Sequence, residues 1–426
     1  MGTLNNWSNV QVGFNYTHAI KTNGTIWGWG DNSNRNIGDN SATTRSSPVQ
    51  IGTLNTWTDV YNGLGSTAVN AAKKSDNTLW GWGFDAWGQL GRGTATNRNS
   101  SPIQLKSDKS WKVAIPGENV LSVIDTDGIL YTSGITTNYL LGYDFKQLSP
   151  VQIGTLSNWK SFSAGGSHTI AISQSGSLWA FGLNNVGQLG DRTVVDKNSP
   201  VQIGTLNTWV SASCGPSHTI AIKTDGTMWS WGNDNIGQLG QSVAGTNRSS
   251  PVQVGALTNW KIPAANGNFS MCTKTDGTLW AWGYNGAGQL GQNNTVARSS
   301  PVQVGTLTDW SKPDGGQAFA LCSKTDGTLW SWGANAYGQS GTGNTTYYSS
   351  PKQIGALTNW STPKAGSNMA VCLKTDGTLW GWGYNGRGDL GLGDIANRSS
   401  PVQVGALTTW VVPAAGANTS GCIQTP

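Results

Sequence analysis

The chain has 426 residues, of which 59 are Gly and 23 are Trp; only 11% are charged, and the net charge is +5. Glu118 is its only Glu, and Ala, Leu and Met are sparse beside Gly, Thr, Asn and Ser, which argues against a largely helical protein. The many indoles argue against a disordered chain, and the weak net charge without a basic run indicates neither nucleic-acid nor membrane binding.

Repeats of about 50 residues fill the chain. A Trp recurs near the start of each unit, at positions 7, 57, 111, 159, 209, 260, 310, 360 and 410. A Pro, mostly within Ser-Pro-Val-Gln, recurs near the end of each unit, at positions 48, 102, 150, 200, 251, 301, 351 and 401. The sequence therefore contains eight complete units and a terminal half unit at residues 405–426.

Each unit reads as four short antiparallel strands, as the unit at residues 255–304 illustrates. Residues 260–265 are a short apolar segment with an internal Pro263. Residues 270–275 alternate in the manner of a strand, Asp276-Gly277 predicts a tight hairpin turn, and residues 278–283 return as an aromatic strand. A Gly-rich loop and a polar stretch, residues 286–300, precede a last strand at residues 301–304.

Four strands per unit, repeated eight times without an intervening helix, predict an all-β fold. The architecture that fits is a β-propeller of eight four-stranded antiparallel blades. One isolated blade could not bury its Trp side chains, so we expect residues 1–426 to form a single domain with the half repeat at its end. Seven blades with an extra unit, and an open spiral, are the alternatives.

Three segments of the fifth unit resemble the repeat of the regulator of chromosome condensation family. They are residues 217–226 (SHTIAIKTDG), 229–232 (WSWG) and 237–240 (GQLG), and similar patterns recur at 179–190, 280–291 and 380–391. The Trp-rich form of the repeat looks like those of bacteria and phages. The resemblance implies a propeller, usually of seven blades, in a family of exchange factors, a β-lactamase inhibitor and interaction domains.

The chain departs from that family pattern at its ends and in its third unit. The segments 2–23 and 405–426 are equivalent half units that compete for one place in a closed ring. In the third unit, Tyr131 and Ser133 stand at the two positions that hold Trp elsewhere. We expect the third blade to be the least well packed.

The Cys, His and Asp residues, which often serve in catalytic or metal sites, are explained in this sequence by structural roles. Cys272, Cys322, Cys372 and Cys422 occupy a position that holds Ala in other units, so we expect small buried side chains and neither disulfides nor a metal site. The family resemblance implies that His168 and His218 are buried and hydrogen-bonded, and the Asp residues of the Asp-Gly turns serve those turns. We expect no cofactor and no catalytic residue.

Basic and aromatic residues outside the core give the candidate binding residues. One predicted ring on a rim of the propeller comprises Arg45, Arg98, Lys197, Arg248, Arg298 and Arg398. A second ring beside the hairpin turns comprises Lys21, Lys74, Lys223, Lys274, Lys324 and Lys374. Such rings attract acidic partners or are merely solvated charges. Tyr347-Tyr348 replaces the Arg in the seventh unit, and Trp87 is the single Trp outside the periodic set.

These features predict a non-enzymatic interaction or structural module. We expect a protein partner or a larger assembly, and a phage decoration or tail component is one setting that fits. The alternatives are a guanine nucleotide exchange factor-like regulator and a propeller-type inhibitor or lectin-like binder, and a small-molecule ligand is not expected. Residues 1–7 lack the basic and apolar regions of a secretion signal. We expect a virion or an extracellular surface rather than the cytoplasm.

Overall fold

The computed structural model describes residues 7–12, 16–63, 69–86, 88–92, 94–106, 108–116, 120–134, 147–152, 159–386, 390, 392, 394–405, 408, 410–415 and 420–424. Over these residues the chain forms 34 strands in eight antiparallel sheets. None of the same residues lies in a helix long and apolar enough to cross a membrane. The predicted all-β propeller of eight blades is confirmed.

The first blade consists of β1 (Trp7–Val12), β2 (Tyr16–Lys21), β3 (Ile26–Gly30) and β4 (Arg45–Gln50), and the second of β5 (Trp57–Asn62), β6 (Val69–Lys74), β7 (Leu79–Phe84) and β8 (Arg98–Leu105). The third blade consists of β9 (Trp111–Pro116), β10 (Val120–Asp125), β11 (Leu130–Gly134) and β12 (Gln147–Gln152). The fourth consists of β13 (Trp159–Ala164), β14 (His168–Ser173), β15 (Leu178–Gly182) and β16 (Lys197–Gln202).

The fifth blade consists of β17 (Trp209–Cys214), β18 (His218–Lys223), β19 (Met228–Gly232) and β20 (Arg248–Gln253), and the sixth of β21 (Trp260–Ala265), β22 (Phe269–Lys274), β23 (Leu279–Gly283) and β24 (Arg298–Gln303). The seventh blade consists of β25 (Trp310–Gly315), β26 (Phe319–Lys324), β27 (Leu329–Gly333) and β28 (Tyr348–Gln353). The eighth consists of β29 (Trp360–Ala365), β30 (Met369–Lys374), β31 (Leu379–Gly383) and β32 (Arg398–Gln403). A terminal hairpin, β33 (Trp410–Ala415) and β34 (Ser420–Gln424), follows them.

The strand register gives every blade two distinct ends. In the sixth blade the order is β21-β22-β23-β24, with Trp260 opposite Lys274 and Gly283 opposite Arg298. The Asp-Gly turns and the links between blades therefore lie at one end, which we call the turn rim. The loops that join the third and fourth strands lie at the other end, the loop rim. The first strand of each blade packs against the first strand of the preceding blade at six of the seven junctions between complete blades, and is thus innermost.

The terminal hairpin joins the sheet of the first blade. That sheet has six strands in the order β33-β34-β1-β2-β3-β4, with Cys422 opposite Val10 across the β34–β1 pair. β33 packs against β29 and β30 of the eighth blade, as β29 packs against β25 and β26. The two half units that were expected to compete for one place are instead accommodated side by side.

The hairpin turn of each typical blade is held by one relay of hydrogen bonds. In the sixth blade, Asp276 Oδ1 accepts from the Thr278 amide at 3.0 Å and from its hydroxyl at 2.7 Å. The Thr278 hydroxyl in turn accepts from Trp280 Nε1 at 2.9 Å. These bonds hold the pKa of Asp276 below its ordinary value. Gly277 has φ +78°, and a Cβ there would lie 1.8 Å from Thr308 O of the next blade link, so this turn requires Gly.

Adjacent blades are joined by a second set of bonds to the Gly-Gln-Leu-Gly loop. Trp282 of the sixth blade is fully buried and donates through Nε1 to Gln238 O of the fifth blade at 2.9 Å. The same oxygen accepts from the Ser270 hydroxyl at 2.8 Å. Gly240 of that loop has φ +72°, and a Cβ there would lie 2.9 Å from Trp282 Nε1. The loop glycine thus lets the indole of the next blade approach its carbonyl acceptor.

The histidines that the family resemblance marked as buried belong to this network. His218 Nε2 lies 3.0 Å from Ser270 Oγ, and His168 Nε2 lies 3.0 Å from Thr219 Oγ1. Because each hydroxyl donates its single proton to a loop carbonyl, it accepts from the histidine Nε2–H. Burial lowers the pKa of His168 to about 4 and that of His218 to about 3. The predicted burial and hydrogen bonding are confirmed.

Three of the four cysteines that were expected to be small buried residues are confirmed as such, and the side chain of the fourth, Cys422, lies outside the described part of the structure. Cys272, Cys322 and Cys372 are 0% exposed and free, and each lies opposite the first Trp of the following strand. Ala221 occupies the same register position opposite Trp229 in the fifth blade. A small side chain at this point leaves room for the indoles that pack between blades.

The third blade keeps the hydrogen bond to the loop carbonyl of the preceding blade, although it lacks the Trp that makes this bond in the sixth blade. Ser133, at the Trp282 position, donates its hydroxyl to Gln89 O of the second blade at 2.7 Å. Tyr131 is 5% exposed and packs edge-on against Trp111 at 5.5 Å between ring centres. The side of the third blade that faces the second blade is therefore well packed.

The fourth blade is more exposed than the other blades on the side that faces the preceding blade. Phe162 on β13 is 36% exposed, whereas Val60, at the same register position on β5, is 1% exposed. Trp209 donates its backbone amide to Gly176 O of the preceding turn at 3.0 Å, but Trp159 makes no such bond to a described residue. The looser packing that was expected of the third blade thus lies at its junction with the fourth.

Candidate interaction surface

The predicted Arg ring lies on the loop rim, at the first residue of the outermost strands. Arg248 is opposite Gly232, and Arg298, Arg398 and Tyr348 are opposite the equivalent glycines. Arg98 does not belong to this ring. It lies opposite Phe84, because β8 is longer, and Asn99 occupies the ring position opposite Gly83.

Three members of the ring are neutralised within their own loops. Arg45 pairs with Asp39 at 2.7 Å, Lys197 pairs with Asp191 at 3.0 Å, and Arg398 pairs with Asp394. Burial opposes ionisation of Asp39, but hydrogen bonds from Ser41 and Arg45 hold its pKa below the ordinary value. These three cations order their loops and leave little charge for a partner.

Arg248 and Arg298 differ from the other ring members. Neither forms a salt bridge within the described residues, and the Nε atom of each is buried without a hydrogen-bond partner. Both side chains are half-buried. Asp234 lies in the same loop as Arg248, and burial raises its pKa even though the Arg248 charge opposes that rise. Arg248 and Arg298 are thus the ring members that form no salt bridge to a described residue.

The Lys ring on the turn rim is not a solvated ring. Its six members are Lys21, Lys74, Lys223, Lys274, Lys324 and Lys374, and they are only 5–8% exposed. Lys274 Nζ lies 3.7 Å from the ring centre of Trp280 and 4.7 Å from that of Trp260. Burial lowers the pKa of Lys274. Cation–π contacts in desolvated surroundings are worth about 2 kcal/mol, so these lysines stabilise the blades and do not face a partner.

The aromatic candidates are divided between surface and core. Tyr347 is 51% exposed on the loop rim, whereas Tyr348 packs against the hydrophobic core of the sixth and seventh blades. Tyr348 Oη accepts from Asn344 Nδ2 at 2.9 Å. Trp87 lies outside the described residues. Two further tyrosines of the loop rim, Tyr337 and Tyr384, contact each other edge to face at 5.2 Å across two blades.

Apolar side chains at the tips of the loop-rim loops were missed by the sequence reasoning. They occur in five consecutive blades and are 51–69% exposed: Val194, Val195, Val243, Val296, Tyr347 and Ile395. One or two apolar residues in each otherwise polar loop, aliphatic in every loop except that of the seventh blade, were the signal that could have revealed them. Together with the unpaired arginines they form a surface in which apolar, aromatic and guanidinium groups alternate, as in the centre of protein interfaces.

The titratable side chains give no sign of a reactive centre within the ranges that the structure describes. No three His, Cys, Asp or Glu residues there are close enough to hold a metal ion. Buried His168 and His218 bond to hydroxyls of neighbouring blades, and buried His18 bonds to Asn62 Oδ1 and Ile37 O. Burial raises the pKa of the Cys272 thiol to about 12.

The sequence matches two related family models. The RCC1-like domain model matches residues 158–422, and the model of the regulator of chromosome condensation (RCC1) repeat matches residues 76–115. The Ultraviolet-B receptor UVR8 of Arabidopsis thaliana is 29% identical over 203 residues, 45% of this chain and 44% of the receptor. The human Probable E3 ubiquitin-protein ligase HERC3 is 30% identical over 197 residues, 44% of this chain and 19% of the ligase. The matched region thus spans less than half the length of these relatives.

Solved structures agree on the fold. Human WBSCR16 superposes with a TM-score of 0.64 at 19% identity, covering 94% of this chain and 100% of that one. Prp20p of Saccharomyces cerevisiae, a protein studied for binding to Gsp1p and histones, superposes with a TM-score of 0.58 at 17% identity and covers 98% and 94% of the two chains. At these identities the likeness concerns the fold alone.

Proposed function

Because the chain belongs to the family of RCC1-like domains, we propose that it is a protein-interaction module that binds its partner through the loop rim. The observation that carries the proposal is the set of apolar loop tips in the fourth to eighth blades. Each tip holds an apolar side chain more than half exposed, at nearly the same place in its loop. Leucines that recur on the turn rim are only 44–50% exposed, whereas the loop-rim tips are 51–69% exposed. We therefore assign the interaction surface to the loop rim, where the apolar side chains protrude further.

The neighbouring side chains suit a protein partner. Tyr337 and Tyr347 supply large rigid contact areas, and Arg248 and Arg298 supply unpaired guanidinium groups that can pair with carboxylates. The Tyr337–Tyr384 contact also fixes the two rings before binding, which reduces the entropy lost in the complex. A partner with an apolar patch flanked by acidic residues is complementary to this arc.

A triple variant on the loop rim tests the proposal: Val243→Ser, Val296→Ser and Ile395→Ser. The matched control changes three turn-rim leucines that are 45–50% exposed: Leu54→Ser, Leu206→Ser and Leu257→Ser. Affinity capture from the source organism, with quantification by mass spectrometry, should recover a partner with the wild type and the control but not with the loop-rim variant. Equal recovery by both variants, or no specific partner for the wild type, would refute the proposal.

We further propose that the role is non-enzymatic, and that its setting is a larger assembly such as a phage decoration or tail. The non-enzymatic role is supported by the buried titratable groups, which are engaged in contacts between or within blades. The assembly is supported by the low charged fraction of 11% and the surface rich in Asn, Thr, Ser and Gly. Mass spectrometry of purified particles tests the setting, and recovery of the protein solely as a free monomer would contradict it.

A further inference from the structure

A groove of about 240 Å³ separates the seventh and eighth blades on the outer wall of the propeller. Leu357 and Ile354 of the seventh blade line one part of it, and Trp380 and Pro401 of the eighth blade line another. No charged side chain contributes to its lining. It contains none of the loop-tip residues to which the proposed function refers.

In the fifth and sixth blades a glutamine side chain covers the position that is equivalent to this groove. Gln292 in the sixth blade lies over the outer strand and donates through Nε2 to Gln303 O at 3.0 Å. Gln241 in the fifth blade donates in the same way to Val252 O at 3.1 Å. The equivalent residue of the seventh blade is Thr342, whose hydroxyl donates to Asn344 Oδ1 at 3.5 Å instead. The shorter side chain leaves uncovered the space that glutamine fills in the fifth and sixth blades.

The walls of the groove are held in place before any ligand binds. Trp380 is half-buried, its Nε1 donates to Thr378 Oγ1 at 2.9 Å, and Lys374 Nζ lies 3.6 Å from its ring centre. Trp360 packs edge-on against it at 6.0 Å between ring centres. A rigid indole beside a proline ring is the kind of surface that binds the rings of an extended proline-rich segment.

The outer strands favour recognition by side chains over strand addition. Pro351 lies in β28 and Pro401 lies in β32, and a proline in an edge strand removes a backbone donor that an added strand would need. Ser400 and Pro401 of β32 and Leu357 of the link after β28 all line the groove. An extended segment with prolines fits this shape, since it forms no backbone ladder of its own.

We infer that the groove between the seventh and eighth blades binds an uncharged, proline-containing extended segment of a partner protein. The prolines pack between Trp380, Pro401 and Leu357, and Ser400, which also lines the groove, places its hydroxyl beside the peptide. This site extends the proposed interaction role to a second surface and specifies the chemistry of its ligand.

Two substitutions test the inference, and each introduces a residue that another blade of this chain has at the equivalent position. Thr342→Gln fills the groove with the residue of the fifth and sixth blades, and Gln292→Thr opens the equivalent groove between the sixth and seventh blades. Isothermal titration calorimetry with a short oligoproline peptide should show saturable binding to the wild type. Thr342→Gln should weaken it by at least about tenfold, and Gln292→Thr should add a second site.

Circular dichroism and urea midpoints unchanged from the wild type establish that both variants fold. Absence of saturable binding, or full binding by Thr342→Gln, would overturn the inference. Saturable binding of a methyl glycoside without binding of the peptide would overturn it too, by identifying a sugar site. Failure here leaves the loop-rim variants unaffected, because those variants change no residue of the groove.

Discussion

The bond between Trp282 and Gln238 allows the strength of a blade junction to be predicted. Trp282→Phe removes the Nε1 donor from a fully buried position, while Gln238 O keeps the Ser270 hydroxyl. The lost hydrogen bond costs about 1 kcal/mol. The smaller ring leaves roughly 40 Å³ empty, which at about 24 cal/mol per Å³ costs about 1 kcal/mol more. We expect the free energy of unfolding to fall by about 2 kcal/mol.

Trp280→Phe is the matched control for this prediction. Trp280 is half-buried, and its Nε1 donates to Thr278 within the same hairpin rather than across a junction. Water can replace that partner, so we expect a loss of less than about 1 kcal/mol. Equilibrium urea unfolding followed by far-UV circular dichroism measures both losses. Equal losses in the two variants, or a negligible loss for Trp282→Phe, would refute the assignment of junction strength to this bond.

Three further outcomes follow from buried groups and from the junction of the third and fourth blades. The pKa of His218 is about 3 in the folded protein and about 6.5 when unfolded, so the unfolded chain binds more protons between these values. Stability should therefore fall as the pH falls from about 6.5 to 4, by roughly 2–3 kcal/mol for this histidine, and His218→Gln should flatten a urea-midpoint profile against pH; identical profiles would contradict the sign. Cys272, Cys322 and Cys372 should react with a thiol reagent only after unfolding, and rapid reaction of the folded protein would show that they are accessible. Amide hydrogen exchange should be faster in β13 than in β21, and equal protection would contradict the looser junction inferred from Phe162.

Much of the blade could be predicted because local rules and the repeat agree. Asp276-Gly277 predicted its hairpin correctly, and the equivalence of Cys272 with the alanines of other units predicted a small buried side chain. The innermost strand also formed despite Pro263, since that strand has a partner on one side only. The spacing of the Trp residues near the unit starts was sufficient to predict the first strands of the blades.

The candidate site was predicted less well, because it depends on contacts between units. The lysines of the turn rim looked like surface charges, but Trp260 and Trp280 close over Lys274 from two strands. Arg98 was assigned to the ring from its distance to Pro102, while the longer β8 places Asn99 there. Ser133 looked like a defect, yet its hydroxyl replaces the indole N–H at the junction. None of these outcomes is encoded in one unit alone.

The lysines enclosed by indoles have a consequence for chemical labelling. Lys112, Lys160 and Lys261 are exposed on the innermost strands, whereas the six lysines of the turn rim are almost completely covered by Trp rings. Amine-directed acylation of the native protein will modify the first group and spare the second, because the reagent must reach the Nζ atom and the covered lysines are only 5–8% exposed. Dyes, biotin or cross-linkers can therefore be attached near the axis without disturbing the blades, and the appearance of label on Lys274 would report that a blade has opened.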